Sequence, residues 1–317
     1  YPVGKGVESQ VVFHFNVYIE TEYTLQMKAT YYLILFLYCL GVSRVPAQST
    51  DSLFQLLSTS KTDSAKAYLL VQISKSIYAS DLENSYKYAQ EAHDLAKASN
   101  QWQPYAESFN IMGVYNDSKG NYLPSMQQFT EGLAWSRKVG DSLLVSKILN
   151  NIGLIYKNTG RLEKAVDSYL LSLKIAEQFG TSGDIAVCHN NLGIVYKQLG
   201  YTEYSKKYNQ KAYLKFKEAN NQRGMSAALN NIGLTFKDSG DYDSALFYLK
   251  RSLELKQQIN YKKGLTTSLY NIGLVYSKRG LYLEAMKYYD KALANAQEVG
   301  SKTHIAEVQA MKGDLYM

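Results

Sequence analysis

Apolar residues recur along this chain at helical spacing, interrupted at regular intervals by Gly or Asn. Between Gly140 and Gly160 the apolar positions are Leu143, Leu144, Ile148, Ile152, Ile155 and Tyr156. Between Gly160 and Gly180 they are Leu162, Ala165, Val166, Tyr169, Leu173 and Ala176. Each stretch carries one apolar face and predicts an amphipathic helix of about 17 residues. The interruptions are phased. Gly120, Gly160, Gly200, Gly240 and Gly280 form one series with a 40-residue step, and Asn100, Gly140, Gly180, Asn220, Asn260 and Gly300 form another. Both fall just after a predicted helix, where a left-handed residue ends it and turns the chain back. Gly accepts that conformation freely, and Asn is the next best residue.

A third series, Gly113, Gly153, Gly193, Gly233, Gly273 and Gly313, has the same step but falls in mid-helix, where Gly costs about 1 kcal/mol relative to Ala. A repeated cost implies a repeated reason. Twelve residues on come Ser125, Ala165, Ser205, Ala245 and Ala285, and seven further on Gly132, Ser172, Ala212, Ser252 and Ala292. The expectation is that each mid-helix glycine faces the first of these small residues across a close helix pair, and that the second faces the next repeat. The text repeats as well: NNIGLIYKNTG from Asn150, NNLGIVYKQLG from Asn190, NNIGLTFKDSG from Asn230 and YNIGLVYSKRG from Tyr270. These observations predict helix pairs over 105–144, 145–184, 185–224, 225–264 and 265–304. A degenerate capping repeat precedes them at 65–104, with Ile73 in place of the glycine, after a lead at 48–64. Asn209 stands where a large apolar residue belongs, and Tyr208 is expected to fill the space. Pro104 and Pro124 fall in the first turn of predicted helices, where Pro is tolerated.

Gly153, Tyr156, Gly160, Ala165, Tyr169 and Ser172, and again Gly273, Tyr276, Gly280, Ala285, Tyr289 and Ala292, resemble the tetratricopeptide repeat pattern. The 40-residue period is similar to the longer-helix forms in Rap-type peptide-binding regulators and Pins-type adaptors. The resemblance covers about residues 65–317. It implies an all-α fold, a right-handed solenoid of stacked antiparallel helix pairs, whose first helices line a groove for protein or peptide.

The N-terminal region reads differently. Met27-Lys28, the apolar run from Tyr31 to Val42 and Val45-Pro46-Ala47 have the three parts of a secretory signal peptide. The run is shorter than the about 20 apolar residues of a comfortable membrane span. The expectation is therefore an upstream leader at 1–26, a signal peptide at 27–47, and an exported chain facing the periplasm. A membrane link would come only through an uncleaved signal or a further C-terminal segment. Gly313-Asp314-Leu315-Tyr316 reads as the start of another first helix, so 305–317 is expected to be a truncated repeat exposing an apolar face. The lead from Thr50, TDSLFQLLSTSKTDSAKAYLLVQIS, is similar to the start of Bacteroidetes-type membrane sensors. That resemblance implies a following transmembrane helix and a histidine kinase, LuxR-type regulator or nucleotide cyclase outside these residues. The other reading is a stand-alone secreted adaptor.

Composition narrows the chemistry. With 46% apolar residues, global disorder is excluded. Two Cys exclude a disulfide framework and a multi-Cys metal site. A net charge of +7 is a mild basic excess and argues, with export, against nucleic-acid binding. No catalytic, metal or cofactor constellation stands out. Cys188 and His189 are neighbours but point apart on a helix, reading as a packed thiol beside a surface His. The candidate site is the groove. Asn110, Asn150, Asn190 and Asn230 lie three before the mid-helix glycine, and Asn151, Asn191, Asn231 and Asn271 two before it. An amide offers donor and acceptor together and suits a peptide backbone. The other reading is that they bond neighbouring helices. Lys157, Lys197 and Lys237, four after the glycine, would align into a basic stripe favouring an acidic segment or a free carboxylate. The packing set is Gly113, Gly153, Gly193, Gly233, Gly273, Ala165, Ala245 and Ala285. Tyr270 and Ser277 interrupt the Asn and Lys rows in the repeat at 265–304.

Overall fold

The computed structural model describes residues 49–315. The leader expected at 1–26 and the signal peptide expected at 27–47 lie outside the described residues. The chain divides into two compact units, residues 1–55 and 56–317. Of the first, the described residues are the opening of α1 (Thr50–Thr59). The second holds the repeats. Its first helices are α2 (Asp63–Ile77), α4 (Trp102–Ser118), α6 (Ser142–Asn158), α8 (Ser182–Gln198), α10 (Gln222–Asp238), α12 (Lys262–Lys278) and α14 (Lys302–Asp314). Its second helices are α3 (Leu82–Ala98), α5 (Tyr122–Lys138), α7 (Leu162–Phe179), α9 (Thr202–Glu218), α11 (Tyr242–Gln258) and α13 (Tyr282–Glu298). No strand occurs among the described residues.

The helix ends follow from the phased Gly and Asn. Ten of the eleven such positions have positive φ, from Asn260 at 51° to Gly200 and Gly240 at 81°. After α6 the Gly160 N–H donates to the Lys157 carbonyl at 3.1 Å and the Arg161 N–H to the Tyr156 carbonyl at 2.8 Å. This paired pattern satisfies carbonyls that a helix terminus leaves open. Gly180 is the exception to the expected left-handed turn. It is extended, at φ −93° and ψ 175°, and α7 runs one residue longer than its counterparts. The cause lies just beyond. Thr181 and Asp184 form a reciprocal capping box, with Asp184 N–H donating to Thr181 Oγ1 and Thr181 N–H to Asp184 Oδ2. That box starts α8 directly from an extended residue.

Successive first helices touch one another as well as the second helices on either side. Second helices touch the flanking first helices and make no contact with each other among the described residues. The repeats are therefore wedges, narrow along the line of first helices, and stacking wedges curves that line into the inner, concave face.

The mid-helix glycines serve the packing differently from the expectation. Ser125, Ala165, Ser205, Ala245 and Ala285 are fully buried, and Ser125 Oγ donates to the Gly113 carbonyl at 2.7 Å. The group facing each glycine, however, is the large side chain sixteen residues on. A Cβ added to Gly113 would stand 2.5 Å from Phe129, one on Gly153 2.7 Å from Tyr169, one on Gly233 2.7 Å from Leu249 and one on Gly273 2.6 Å from Tyr289. Each glycine is a slot for a side chain at or near full burial. In the repeat at 185–224 the slot beside Gly193 holds Asn209 itself. Tyr208 does not fill it and instead stacks on Tyr196, ring centroids 5.3 Å apart. The second small series does meet the next repeat: Ser172 Oγ lies 3.2 Å from Cys188 Sγ there, while it donates to the Ser146 carbonyl of its own repeat at 2.7 Å.

The last described helix also departs from expectation. On α14, Gln309 and Lys312 stand where α12 has Leu269 and Ile272, and its exposed residues include Thr303, Ala306, Glu307 and Ala310. No large apolar side chain of α14 is exposed. A Cβ on Gly313 would meet nothing within 4 Å.

Candidate functional site

On each first helix the residues at i, i+3 or i+4, i+7 and i+10 or i+11 share the face turned to the concave side. On α6 these are Lys147, Asn150 with Asn151, Leu154 and Lys157 with Asn158, all half-buried or exposed. Repeated along the unit, they make three parallel rows. The row of amides and the row of lysines are the expected ones. Between them lies a row that sequence reasoning missed: Val114, Leu154, Ile194, Leu234 and Leu274, all half-buried. The signal for it was present, an aliphatic residue immediately after each slot glycine, hidden inside the apolar run that also supplies the core.

The amide row is internally bonded. Asn151 Nδ2 donates to Asn110 Oδ1, Asn191 Nδ2 to Asn150 Oδ1, Asn231 Nδ2 to Asn190 Oδ1 and Asn271 Nδ2 to Asn230 Oδ1, each at 2.9 Å. Each rung joins two repeats. One half of every amide remains: the NH2 of Asn110, Asn150, Asn190 and Asn230, and the carbonyl oxygen of Asn151, Asn191, Asn231 and Asn271. None of these groups is an unpartnered atom sealed in the interior. The floor therefore offers one donor and one acceptor at each of the first three rungs, whereas Asn230 and Asn271 of the fourth are buried. Tyr270 interrupts the row, its ring 6.0 Å from that of Tyr289.

The lysine row is less basic than its residues imply. Lys197 Nζ lies 3.3 Å and Lys237 Nζ 3.0 Å from Asp238, so both face one carboxylate. Lys157 has no ion pair among the described residues; burial lowers its pKa and Asp117 opposes that shift. Asp117 occupies the equivalent place on α4. Burial raises its carboxyl above the usual range, against the pull of the Asn158 amide and Lys157. At the N-terminal end of the face, Glu107 is buried and paired with Lys75.

The Cys188–His189 pair lies in the core, not in the groove. The thiol is pushed up by burial. His189, expected at the surface, is 5% exposed, and its pKa falls to about 4 through burial, then Lys211 and Lys215. No cluster of His, Cys, Asp and Glu able to hold a metal occurs among the described residues.

Wedge-shaped helix pairs at a 40-residue period, slot glycines and a concave face of first helices define a helical-repeat solenoid. The chain carries tetratricopeptide repeats: family models for the tetratricopeptide repeat match residues 144–213, 226–259 and 266–298. Among curated proteins none matches. Solved structures similar to it include a Rap protein complexed with competence and sporulation factor, 14% identical, with 81% of this chain and 72% of that one covered at a TM-score of 0.67. The apo quorum sensor NprR from B. thuringiensis is 15% identical, with 83% and 74% covered at 0.63. BtubC from P. vanneervenii is 20% identical, with 79% and 93% covered at 0.55. These likenesses establish the fold.

Proposed function

We propose that the concave face of the repeats holds an extended polypeptide segment. The observation that carries this is the half-used amide row. Three half-buried rungs present an NH2 and a carbonyl oxygen at regular steps beside an aliphatic strip, which suits a backbone whose side chains lie on Val114, Leu154, Ile194, Leu234 and Leu274. The Rap structure with competence and sporulation factor supports a peptide occupant by analogy of fold. Chemistry on the bound segment is no part of the proposal. An acidic group on the segment is its finer part: Lys157, Lys197 and Lys237 favour one, while Asp117 and Asp238 offset two of those three charges. The signal-peptide pattern at 27–47 supports an extracytoplasmic setting, in which the repeats serve as the docking or sensing region of a signalling protein.

The test uses a substitution that preserves the rungs. Asn150, Asn190 and Asn230 changed together to Asp keep the oxygen that accepts from the next repeat and replace the groove-facing NH2 with a second oxygen. Retention of peptides from a synthetic random pool by the triple variant should fall at least about tenfold, with the thermal midpoint checked against wild type. Undiminished retention places the occupant elsewhere.

A further inference from the structure

The outer face of the array is built from second helices, which make no contact with one another among the described residues. One row along it is sorted by charge. At 40-residue steps on α3, α5, α7, α9, α11 and α13 stand Glu91, Glu131, Leu171, Lys211, Arg251 and Lys291. All six are exposed. None of the five charged members makes an ion pair among the described residues. Lys211, Arg251 and Lys291 lie over rings of their own helices, 5.9, 5.6 and 5.5 Å from the centroids of Tyr208, Phe247 and Tyr288. Like charges therefore sit side by side, acidic on α3 and α5 and basic from α9 to α13, an arrangement that repels within one chain. Between the two halves the face turns apolar: Leu170 is 38% exposed, Leu171 53% and Leu214 56%.

We propose that this outer face pairs with a second copy of the chain across a two-fold axis that runs parallel to the second helices, between α7 and α9. Charge complementarity selects both the occupant and the axis. Such an axis reverses the order of the helices and keeps each residue at its height along them. It sets Glu131 opposite Arg251 of the second copy and Glu91 opposite Lys291, each pairing occurring twice. Asp167 and Lys207, 40 residues apart on α7 and α9 and both exposed, meet in the same way. Where the axis brings like charges together, Lys87 with Lys287 and Glu163 with Glu203, one group of each couple is already paired in its own chain, Lys287 with Glu284 and Glu203 with Lys206. A two-fold axis along the array instead lays each helix on its own copy and sets glutamate on glutamate. Leu170, Leu171 and Leu214 lie nearest the proposed axis, where Leu171 covers the aliphatic stem of Lys211. Two convex faces touch at their centres and diverge toward their ends. The contact thus comes from α7 and α9, the ion pairs at its rim from α5 and α11, and a longer-range attraction from α3 and α13 that decays over about 10 Å. So small an interface belongs with weak, reversible dimers of Kd about 10 μM. The face lies opposite the groove, so the dimer leaves the concave side of both copies open and does not depend on the groove reading.

Sedimentation velocity of the full 317-residue chain over about 1–100 μM measures the association. The wild type should shift from monomer toward dimer across that range, and less so at raised salt. Glu91→Lys with Glu131→Lys, or Arg251→Glu with Lys291→Glu, should each weaken dimerisation at least about tenfold. The four substitutions combined in one chain exchange the two ends of the row without changing the net charge. That variant should dimerise within about threefold of wild type. All four positions are exposed, and circular dichroism checks that each variant keeps its helices. A wild type that stays monomeric overturns the proposal. Association that neither double reversal weakens places the contact on another face, and a fourfold variant that fails to recover refutes the pairing across this axis.

Discussion

Lys256 is the least settled charge in the array. It lies in the last turn of α11, 5% exposed, and its Nζ donates to Ser268 Oγ at 2.7 Å. It makes no ion pair among the described residues, and burial alone lowers its pKa from 10.5 to about 8. The equivalent residues in other repeats are Ser136, Ala176, Phe216 and Ala296, so no shared packing role calls for an amine. The unfolded chain holds this proton more tightly than the folded one. Stability therefore rises with pH between about 8 and 10.5, and the full penalty applies below 8. The gap between 10.5 and about 8 corresponds to about 3 kcal/mol at pH 7. Lys256→Met keeps an unbranched side chain of similar length and removes the charge. It also removes the Ser268 bond, worth about 1 kcal/mol. The variant should be more stable by about 2 kcal/mol at pH 7, and the advantage should shrink below about 1 kcal/mol at pH 9.5. Urea unfolding followed by circular dichroism at both pH values measures it. A variant less stable than wild type at pH 7, or an advantage independent of pH, refutes the reasoning.

Three further outcomes follow from the core. His189, at about 4 against an ordinary 6.5, binds its proton less well folded than unfolded, so stability is lost as pH falls from 6.5 toward 4, by up to about 3 kcal/mol. His189→Leu, the residue at positions 149, 229 and 269, should abolish that part of the acid limb in a pH series of denaturation midpoints. Asn209→Leu should stabilise by about 1–3 kcal/mol, because it removes the orphaned Oδ1 and places in the Gly193 slot the residue that Leu249 supplies at Gly233; a lower melting midpoint would mean that the Asn209 bond to the Ser205 carbonyl outweighs the orphan. Gly153→Ala should destabilise by about 1–2 kcal/mol, since the overpacking against Tyr169 exceeds the helix-propensity gain, whereas Gly313→Ala, with open space around it, should be neutral or stabilising in the same melting assay.

The period, the helix pairs and the turn chemistry were legible because they depend on backbone conformation, which Gly and Asn report directly. The partner of each slot glycine was not. Spacing brought Ser125, Ala165, Ser205, Ala245 and Ala285 to the helix crossing, and these are indeed buried. Which side chain turns into the slot depends on the rotamer and length of the residue one helical turn further on. Gly224 and Gly264 show the same limit. A Cβ at Gly224 would stand 2.3 Å from Phe216, and one at Gly264 2.4 Å from Tyr261 and 3.1 Å from Lys256. The large side chain at 216 or 256 and the glycine eight residues later compensate one another, whereas Ala176 faces no such glycine and is followed by Asp184. Gly180 failed in the opposite way: the residue fitted a left-handed turn, but the stronger cap at Thr181–Asp184 removed the need for one.

The asparagines carried more information than their spacing alone revealed. Each rung runs from a residue to the one 41 positions on, one repeat plus one residue. A ladder of that kind needs both Asn of a pair only in its interior. Its first repeat requires only the acceptor, and Asn110 is followed by Ile111; its last requires only the donor, and Asn271 is preceded by Tyr270. What reads in the sequence as a broken row is therefore a complete ladder with two ends. A row kept solely for a ligand would have no reason to lose the first Asn at one end and the second at the other. Holding the repeats together is thus one role these amides have in the chain itself, and recognition of a segment draws on the halves left over. For that reason Asn→Ala confounds the two roles, and the Asp substitutions, which keep the rung oxygen, separate them.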